Sequence, residues 1–244
     1  MFRLDRDGDL ARLVLDRPEA RNAIPAGAWT APADRLAEAA RPPARLLLLS
    51  GAGGAFCAGA DLGDFPGLQA DDVARVRFRE EMRLALDRLR DLEIPTVAWI
   101  EGPCYGAGVA LAMACDLRVA APSARFAITP ARFGLSYPQE DVHRLVELVG
   151  PGRAAQLLLT GLPVDAGEAL RIGLVEHCDP PGGGGVEAIA AAILANDGDS
   201  LAALRRAIRL AAAGRRSDPA QDAWFDRLLA APALARRLEA MRRK

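Results

Sequence analysis

The chain has 244 residues, of which 51% are hydrophobic and 26% charged, and this composition indicates a globular protein with a sizeable core. The 31 Lys and Arg residues nearly balance the 32 Asp and Glu residues, for a formal charge of −1. That balance argues against nucleic acid as a partner, because binding to phosphates requires a clear basic excess.

Strands alternate with helices along the first 176 residues. A turn at Asp7-Gly8-Asp9 predicts a hairpin, and later apolar runs predict strands that are buried on both faces. The predicted strands are residues 2–6, 10–16, 46–50, 96–101, 116–121 and 125–128, and the predicted helices are residues 25–40, 71–92, 106–115, 141–149, 152–159 and 165–172. The alternation indicates an α/β fold with largely parallel strands.

A short linker rich in proline and glycine, residues 180–185, separates two parts of the chain. Everything after the linker has the pattern of helices. We therefore predict a core of residues 1–180 and a helical C-terminal region of residues 186–244.

The four cysteines are scattered and only two histidines are present, so neither a disulfide framework nor a metal site is expected. The longest apolar run falls far short of the roughly 20 residues of a membrane span, and the N-terminus is charged from its third residue. These features predict a cytoplasmic protein with reduced thiols and no membrane partner.

Two glycine-rich loops could bring backbone N–H groups close to a ligand. The first, 50–62, reads SGAGGAFCAGADL; it lacks the Gly-Lys-Ser/Thr ending of a P-loop, and Phe56 stands where a dinucleotide fingerprint needs glycine. The second, 101–111, reads EGPCYGAGVAL and places the start of a helix after a strand, a geometry that favours an oxyanion. The alternatives are a tight loop without function for the first and close helix packing for the second.

A third segment, residues 13–24 (LVLDRPEARNAI), is by itself the end of a strand and a turn. In this order and spacing, the three segments resemble the enoyl-CoA hydratase/isomerase (crotonase) superfamily over about residues 10–176. The resemblance implies a crotonase-like spiral of ββα units, with a C-terminal helical region that builds homotrimers, often paired into homohexamers. It also implies an acyl-CoA thioester substrate, a place in fatty acid metabolism, and no cofactor or metal beyond the coenzyme A of the substrate.

The resemblance further implies which residues form the site. The thioester carbonyl would accept hydrogen bonds from the backbone N–H groups of Ala60 and Ala107, which stabilise an enolate. The coenzyme A would lie along two segments, represented by Ala20 and Arg21 in one and by Ala58, Asp61 and Leu62 in the other.

The sequence departs from the family where hydratases carry two catalytic carboxylates. Ala110 and Pro130 stand at those positions, and neither side chain can transfer a proton. The position of an alternative acid in some relatives falls on Pro138. The nearest acids are Glu140 and Asp141 at the predicted start of a helix.

Glu140 is our candidate for the catalytic acid or base. The alternatives are a helix cap or an ion pair with Arg144 four residues on. His143 could act as a base near neutral pH, although a solvent-facing histidine is the simpler interpretation. Tyr105 and Tyr137 could supply hydroxyl groups.

The resemblance, together with the missing acids, leaves three functions open. The first is an acyl-CoA-processing enzyme of the hydratase/isomerase family with a non-standard acid/base set. The second is a decarboxylase or thioester hydrolase of the same fold, because loss of CO₂ forms the enolate without a positioned base. The third is a non-catalytic acyl-CoA-binding protein.

Overall fold

The structure is a computed structural model that describes residues 1–180 and 183–242. The strands are β1 (Phe2–Asp7), β2 (Leu10–Leu15), β3 (Leu46–Gly51), β4 (Thr96–Ile100), β5 (Pro103–Tyr105), β6 (Leu117–Ala120), β7 (Arg125–Ala127), β8 (Val164–Asp165) and β9 (His177–Cys178). The helices are α1 (Ala31–Ala39), α2 (Phe65–Ala70), α3 (Asp72–Arg90), α4 (Ala107–Met113), α5 (Gln139–Thr160), α6 (Ala166–Arg171), α7 (Gly185–Leu194), α8 (Gly198–Ala212), α9 (Pro219–Leu229) and α10 (Pro232–Arg242).

Two sheets form the centre of the fold. The larger has the strand order β1-β2-β3-β4-β6-β9, in which only the β1–β2 hairpin is antiparallel. The smaller has the order β5-β7-β8. The predicted α/β fold with largely parallel strands is therefore confirmed, and the parallel strands deliver the loops that follow β2, β3 and β4 to one edge of the sheet.

Strand β3 is apolar throughout because both of its faces are covered. Leu47 and Leu49 face the main core, to which α3 contributes its buried side chains. Leu46 and Leu48 face the opposite way and pack with Val186 and other residues of α7. The continuous apolar run in the sequence is thus the signature of a strand buried between two layers of helix.

Helix α3 begins at a side-chain cap and ends near the residue that the sequence predicts. The Asp71 carboxylate accepts hydrogen bonds from the N–H groups of Val73 (2.8 Å) and Ala74 (3.1 Å), which satisfies two of the free donors of the first turn. Further along α3, Met82, Ala85, Leu86 and Leu89 are buried. This spacing of three and four residues is the amphipathic pattern visible in the sequence.

The C-terminal region is helical throughout its described part, as predicted, and its helices are α7 to α10. Within the predicted linker and tail, residues 181–182 and 243–244 lie outside the described residues. The division into a core and a C-terminal region stays a prediction. Across the ranges that the structure describes, no helix is both long and apolar enough to cross a membrane.

Several elements differ from the sequence prediction. The predicted helix 25–40 begins as a 3-10 turn, and α1 itself starts only at Ala31. The predicted helix 106–115 is shortened to the seven residues of α4.

The predicted break near residues 150–151 is confirmed, because Gly150 has φ 75° and ψ 162° inside α5.

All four cysteines are free thiols, and three of them are buried. Burial raises the pKa of Cys57 and of Cys115 to about 12 and that of Cys104 well above its usual range, so these thiols stay protonated and unreactive. We expect iodoacetamide to label only the half-buried Cys178 in the folded protein. Mass spectrometry of tryptic peptides checks this, with all four cysteines labelled in guanidinium as the control; fast labelling of Cys57 in the folded protein would contradict it.

Candidate active site

The loop after β3 is paired with the turn after β2. Ile24 donates its N–H to the carbonyl of Gly59 (2.8 Å), and Asp61 donates to the carbonyl of Ile24 (2.9 Å). In this parallel pairing Ile24 bonds to the residues on either side of Ala60, so the N–H of Ala60 points away from Ile24. Among the described residues, the Ala60 N–H has no hydrogen-bond acceptor.

The same loop lies against the turn between β5 and α4. A Cβ atom on Gly59 would lie 2.8 Å from the Tyr105 carbonyl oxygen and 3.4 Å from the Ala107 nitrogen. Only glycine allows this approach, and its φ of 102° also disfavours any other residue. The peptide that joins Gly59 to Ala60 is therefore held close to the amide of Ala107.

Ala107 is the first residue of α4 and has a free amide. Gly106 caps the helix with φ 50° and ψ −117°, and its carbonyl accepts hydrogen bonds from the N–H groups of Val109 (2.9 Å) and Ala110 (3.3 Å). The peptide N–H of Ala107 points away from this carbonyl, and it donates to no acceptor in the part of the chain that the structure describes. Ala60 and Ala107 are both half-buried, so their free donors lie in neighbouring segments that a ligand can reach.

An ion pair ties the loop after β3 to the turn after β2. Arg17 donates to the Asp61 carboxylate at 2.6 Å and to the carbonyl of Ala23 at 3.1 Å, while Asp61 also accepts from the Gly63 N–H at 3.0 Å. The hydrogen bond from Arg17 lowers the pKa of Asp61 below its usual range. Asp61 is thus engaged by the protein itself, and its ion pair holds the loop against the turn.

Asn22 is a residue of the site that sequence reasoning missed. It is fully buried with φ 58°, and its side-chain amide donates to the carbonyls of Ala52 (2.9 Å) and Ala55 (2.7 Å) while its oxygen accepts from the Arg17 N–H (2.9 Å). Asparagine tolerates the left-handed region and offers both donors and acceptors. The sequence signal for this residue is a polar Asn that follows a turn and directly precedes two apolar residues, Ala23 and Ile24.

The remaining predicted binding residues lie on the turn after β2 and on the loop after β3. Ala58 donates its N–H to the Arg21 carbonyl (2.9 Å), so the predicted pair of coenzyme A segments is joined directly. Ala20 and Ala58 are half-buried, whereas Arg21 and Leu62 are exposed. The structure therefore places all five predicted binding residues along one paired stretch of backbone.

The two acids at the start of α5 have different environments. Asp141 is 4% exposed, and one carboxylate oxygen accepts a hydrogen bond from Arg83 at 2.9 Å. Burial raises the pKa of Asp141, and the charge of Arg83 opposes that rise. Glu140 is exposed and, across the described residues, forms no ion pair, so the alternative pair with Arg144 is absent.

Other titratable candidates lie away from this arrangement or are occupied. His143 is exposed and lies 3.3 Å from the Glu147 carboxylate, which fits the simpler interpretation of a solvent-facing histidine. Tyr137 is half-buried and donates from its hydroxyl to the carbonyl of Gly106 at 3.0 Å. Ala110 is buried one turn after Ala107, and Pro130 starts a short 3-10 helix.

Comparison with known proteins identifies the class to which this fold and loop arrangement belong. The sequence model of the enoyl-CoA hydratase/isomerase family matches residues 5–218. An enoyl-CoA hydratase/carnithine racemase from Magnetospirillum magneticum superposes with a TM-score of 0.92 at 28% identity, covering 99% of this chain and 92% of that one. An enoyl-CoA hydratase from Bacillus anthracis gives 0.87 at 26% identity, covering 99% and 96%.

Curated relatives agree with this assignment. The enoyl-CoA isomerase/hydratase fer4 of Mycosarcoma maydis is 34% identical over 69% of this chain, and this chain covers 64% of that protein's length, somewhat less than two thirds. Enoyl-CoA hydratase EchA19 of Mycobacterium tuberculosis is 35% identical over 84% of this chain and 79% of its own length. The chain belongs to the enoyl-CoA hydratase/isomerase family, and its fold is that of the crotonase superfamily, as the sequence motifs predict.

Proposed function

We propose that this protein binds an acyl-CoA thioester and stabilises an enolate of its acyl group. The observation that carries the proposal is the pair of free backbone amides, Ala60 and Ala107, held close together by the contact at Gly59. Two fixed N–H donors can stabilise the negative charge that develops on a thioester oxygen, because they need no reorganisation during the reaction. The two paired segments, with Ala20 and Arg21 on one and Ala58 and Leu62 on the other, would carry the coenzyme A.

The general reaction that we propose is that of an enoyl-CoA hydratase or isomerase with an unusual acid/base group. The family's usual acid positions hold Ala110 and Pro130, so proton transfer requires another residue. Glu140 is favoured over its neighbour because Asp141 is buried and bound to Arg83, whereas the Glu140 carboxylate is exposed and forms no ion pair among the described residues.

Glu140→Gln is expected to lower the rate of 2-enoyl-CoA hydration by about 10²-fold, because an amide cannot accept or deliver the proton. The affinity for a non-reactive acyl-CoA should stay the same, and calorimetry with butanoyl-CoA measures it. Glu147→Gln, an exposed acid further along the same helix, is the matched control. Equal hydration rates in Glu140→Gln and the wild type would remove Glu140 from the mechanism.

A second function is favoured by the same missing acids. A malonyl-type thioester that loses CO₂ leaves its electron pair on the α-carbon as the enolate, so no side chain has to remove a proton first. Mass spectrometry of products from malonyl-CoA and methylmalonyl-CoA distinguishes this decarboxylation from hydration, and free coenzyme A among the products would indicate thioester hydrolysis. Binding of butanoyl-CoA without turnover of any thioester would identify a non-catalytic acyl-CoA-binding protein.

We also propose that the helical C-terminal region assembles the protein into homotrimers or homohexamers. Large apolar side chains are exposed on this region at Leu204, Ile208, Phe225, Leu229 and Leu238. Leu204 and Ile208 on α8, like Phe225 and Leu229 on α9, are four residues apart and so share a helix face, and an exposed apolar face usually marks a protein interface.

A further inference from the structure

The hydroxyl of Tyr137 contacts the peptide group that carries the Ala107 N–H. It donates a hydrogen bond to the Gly106 carbonyl at 3.0 Å, beside the bonds that this oxygen receives from the N–H groups of Val109 and Ala110. Burial raises the pKa of the Tyr137 hydroxyl well above its usual range, and the charge of Asp141 raises it further. The hydroxyl is therefore protonated and available as a donor at neutral pH.

The position of this bond matters because a peptide group is rigid. The Gly106 oxygen and the Ala107 N–H belong to one planar trans unit and point in opposite directions, so fixing the oxygen also fixes the direction of the N–H. Gly106, with φ 50° and ψ −117°, has a backbone that could otherwise rotate more freely than that of other residues. A hydrogen bond to the carbonyl also polarises the unit and makes the N–H a stronger donor.

The segment that carries Tyr137 is itself anchored. Asp141, four residues after Tyr137 and 4% exposed, accepts a hydrogen bond from Arg83 of α3 at 2.9 Å. Arg83 in turn bonds to Asp87 at 3.0 Å on the same helix. The first turn of α5 is thus held against α3 by the contact between Arg83 and the almost completely buried Asp141. This attachment limits the movement of the nearby Tyr137 ring.

We propose that Tyr137 is a positioning residue for the thioester site: its hydroxyl holds and polarises the Gly106–Ala107 peptide, so that the Ala107 N–H hydrogen-bonds the thioester oxygen more strongly. This inference rests on the proposed function. It assigns Tyr137 a role that acts through the backbone of Gly106, without contact between the tyrosine and the reacting atoms.

The test measures the strength of the hydrogen bonds to a bound thioester. [1-¹³C]Butanoyl-CoA cannot be hydrated, and difference infrared spectroscopy reports its carbonyl stretch, which falls when the oxygen accepts stronger hydrogen bonds. We expect binding to the wild type to lower the stretch, and binding to Tyr137→Phe to lower it clearly less at a similar Kd. For 2-enoyl-CoA hydration, kcat of Tyr137→Phe should fall by about 3- to 10-fold with little change in KM, as for the loss of one hydrogen bond.

Two further variants make the result specific. Thr160→Val removes another hydroxyl-to-carbonyl hydrogen bond, from Thr160 to Gln156 at 2.6 Å, at the far end of α5, and it should leave the stretch as in the wild type. Tyr137→4-aminophenylalanine keeps a donor on a ring of the same size and should restore most of the shift. If Tyr137→Phe does not fold, Tyr137→4-aminophenylalanine still decides the question. Its amino group is a weaker donor than the hydroxyl, so its shift of the carbonyl stretch should be smaller than that of the wild type.

The possible outcomes separate this inference from the proposed function. A shift in the wild type that is equally large in Tyr137→Phe overturns the role of Tyr137 and leaves the proposed site intact. Binding to the wild type with no shift at all shows that the two amides do not hold the carbonyl, which overturns the proposed function itself. A reduced shift in Tyr137→Phe that Tyr137→4-aminophenylalanine restores supports both.

Discussion

Ala107→Pro is expected to lower kcat/KM for the thioester substrate by about 10²–10³-fold while the protein stays folded. Loss of one oxyanion donor has an effect of this size in other enzymes, because the charge on the oxygen is then stabilised by a single remaining donor. Proline removes the N–H of Ala107 and leaves that of Ala60 in place. The measurement is steady-state turnover of whichever thioester the wild type converts.

We expect the helix to tolerate the substitution because of where Ala107 lies. It is the first residue of α4, and its N–H donates to no acceptor among the described residues, so no internal hydrogen bond is lost. Proline is also common at the first position of helices, where its fixed φ suits the helix. Thermal unfolding and circular dichroism should therefore resemble those of the wild type.

The matched control is Ala107→Gly, which keeps the backbone donor and removes only the methyl group. Its cost in helix stability is below the value of about 1 kcal/mol for a helix interior because Ala107 is the first residue of α4, and its loss of turnover should be much smaller than that of the proline variant. Equal losses in the two variants would mean that the side chain of Ala107, rather than its N–H, matters. Full activity of the folded proline variant would exclude Ala107 as an oxyanion donor.

The elements that the sequence predicts well are those whose patterns are local. The apolar run of β3 and the periodicity of α3 each reflect burial along one continuous segment, so their limits agree closely with the structure. The break at Gly150 follows from the adjacent Gly150-Pro151 pair. In the glycine-rich segments, small residues mark close backbone approaches, such as that at Gly59.

The features that sequence reasoning missed depend on contacts between distant residues. Strand β5 has only three residues, and its pairing with β7 leaves no periodic pattern. Glu140 and Asp141 are adjacent acids, and only the packing of α5 against Arg83, 58 residues earlier, determines which of them is buried. The bond from Tyr137 to Gly106 likewise joins residues 31 positions apart, and nothing in the tyrosine's own segment indicates it.

Arg205 shows the same limit, because its pattern is that of a charged residue on an amphipathic helix and yet it is 5% exposed. Its guanidinium donates to the Asp116 carboxylate at 2.5 Å, to the Arg90 carbonyl at 2.7 Å and to the Leu92 carbonyl. The two carbonyls lie at the C-terminal end of α3, where helical carbonyls lack partners. One side chain thus attaches α8 to the end of α3 and to the residue before β6.

Arg205→Ala is expected to lower the free energy of unfolding by about 3 kcal/mol. Removing one partner from a buried ion pair typically costs about 3–5 kcal/mol, and the partial exposure of Asp116 places this case at the lower end. For a chain of this length, that loss corresponds to a fall in Tm of about 6–12 °C. Urea or thermal unfolding followed by circular dichroism measures it.

Arg35→Ala is the control, because Arg35 and its partner Glu38 are both about half exposed on α1, and such a pair contributes less than about 1 kcal/mol. Hydrogen exchange adds a local readout: in Arg205→Ala, protection should fall first in α8 and at the C-terminal end of α3. Arg205→Lys should recover only part of the stability, since one ammonium group cannot reach all three acceptors as the planar guanidinium does. A loss of stability in Arg205→Ala no larger than in Arg35→Ala would show that the attachment of the C-terminal helices depends on apolar packing, such as that of Val186 on β3, and not on this buried arginine.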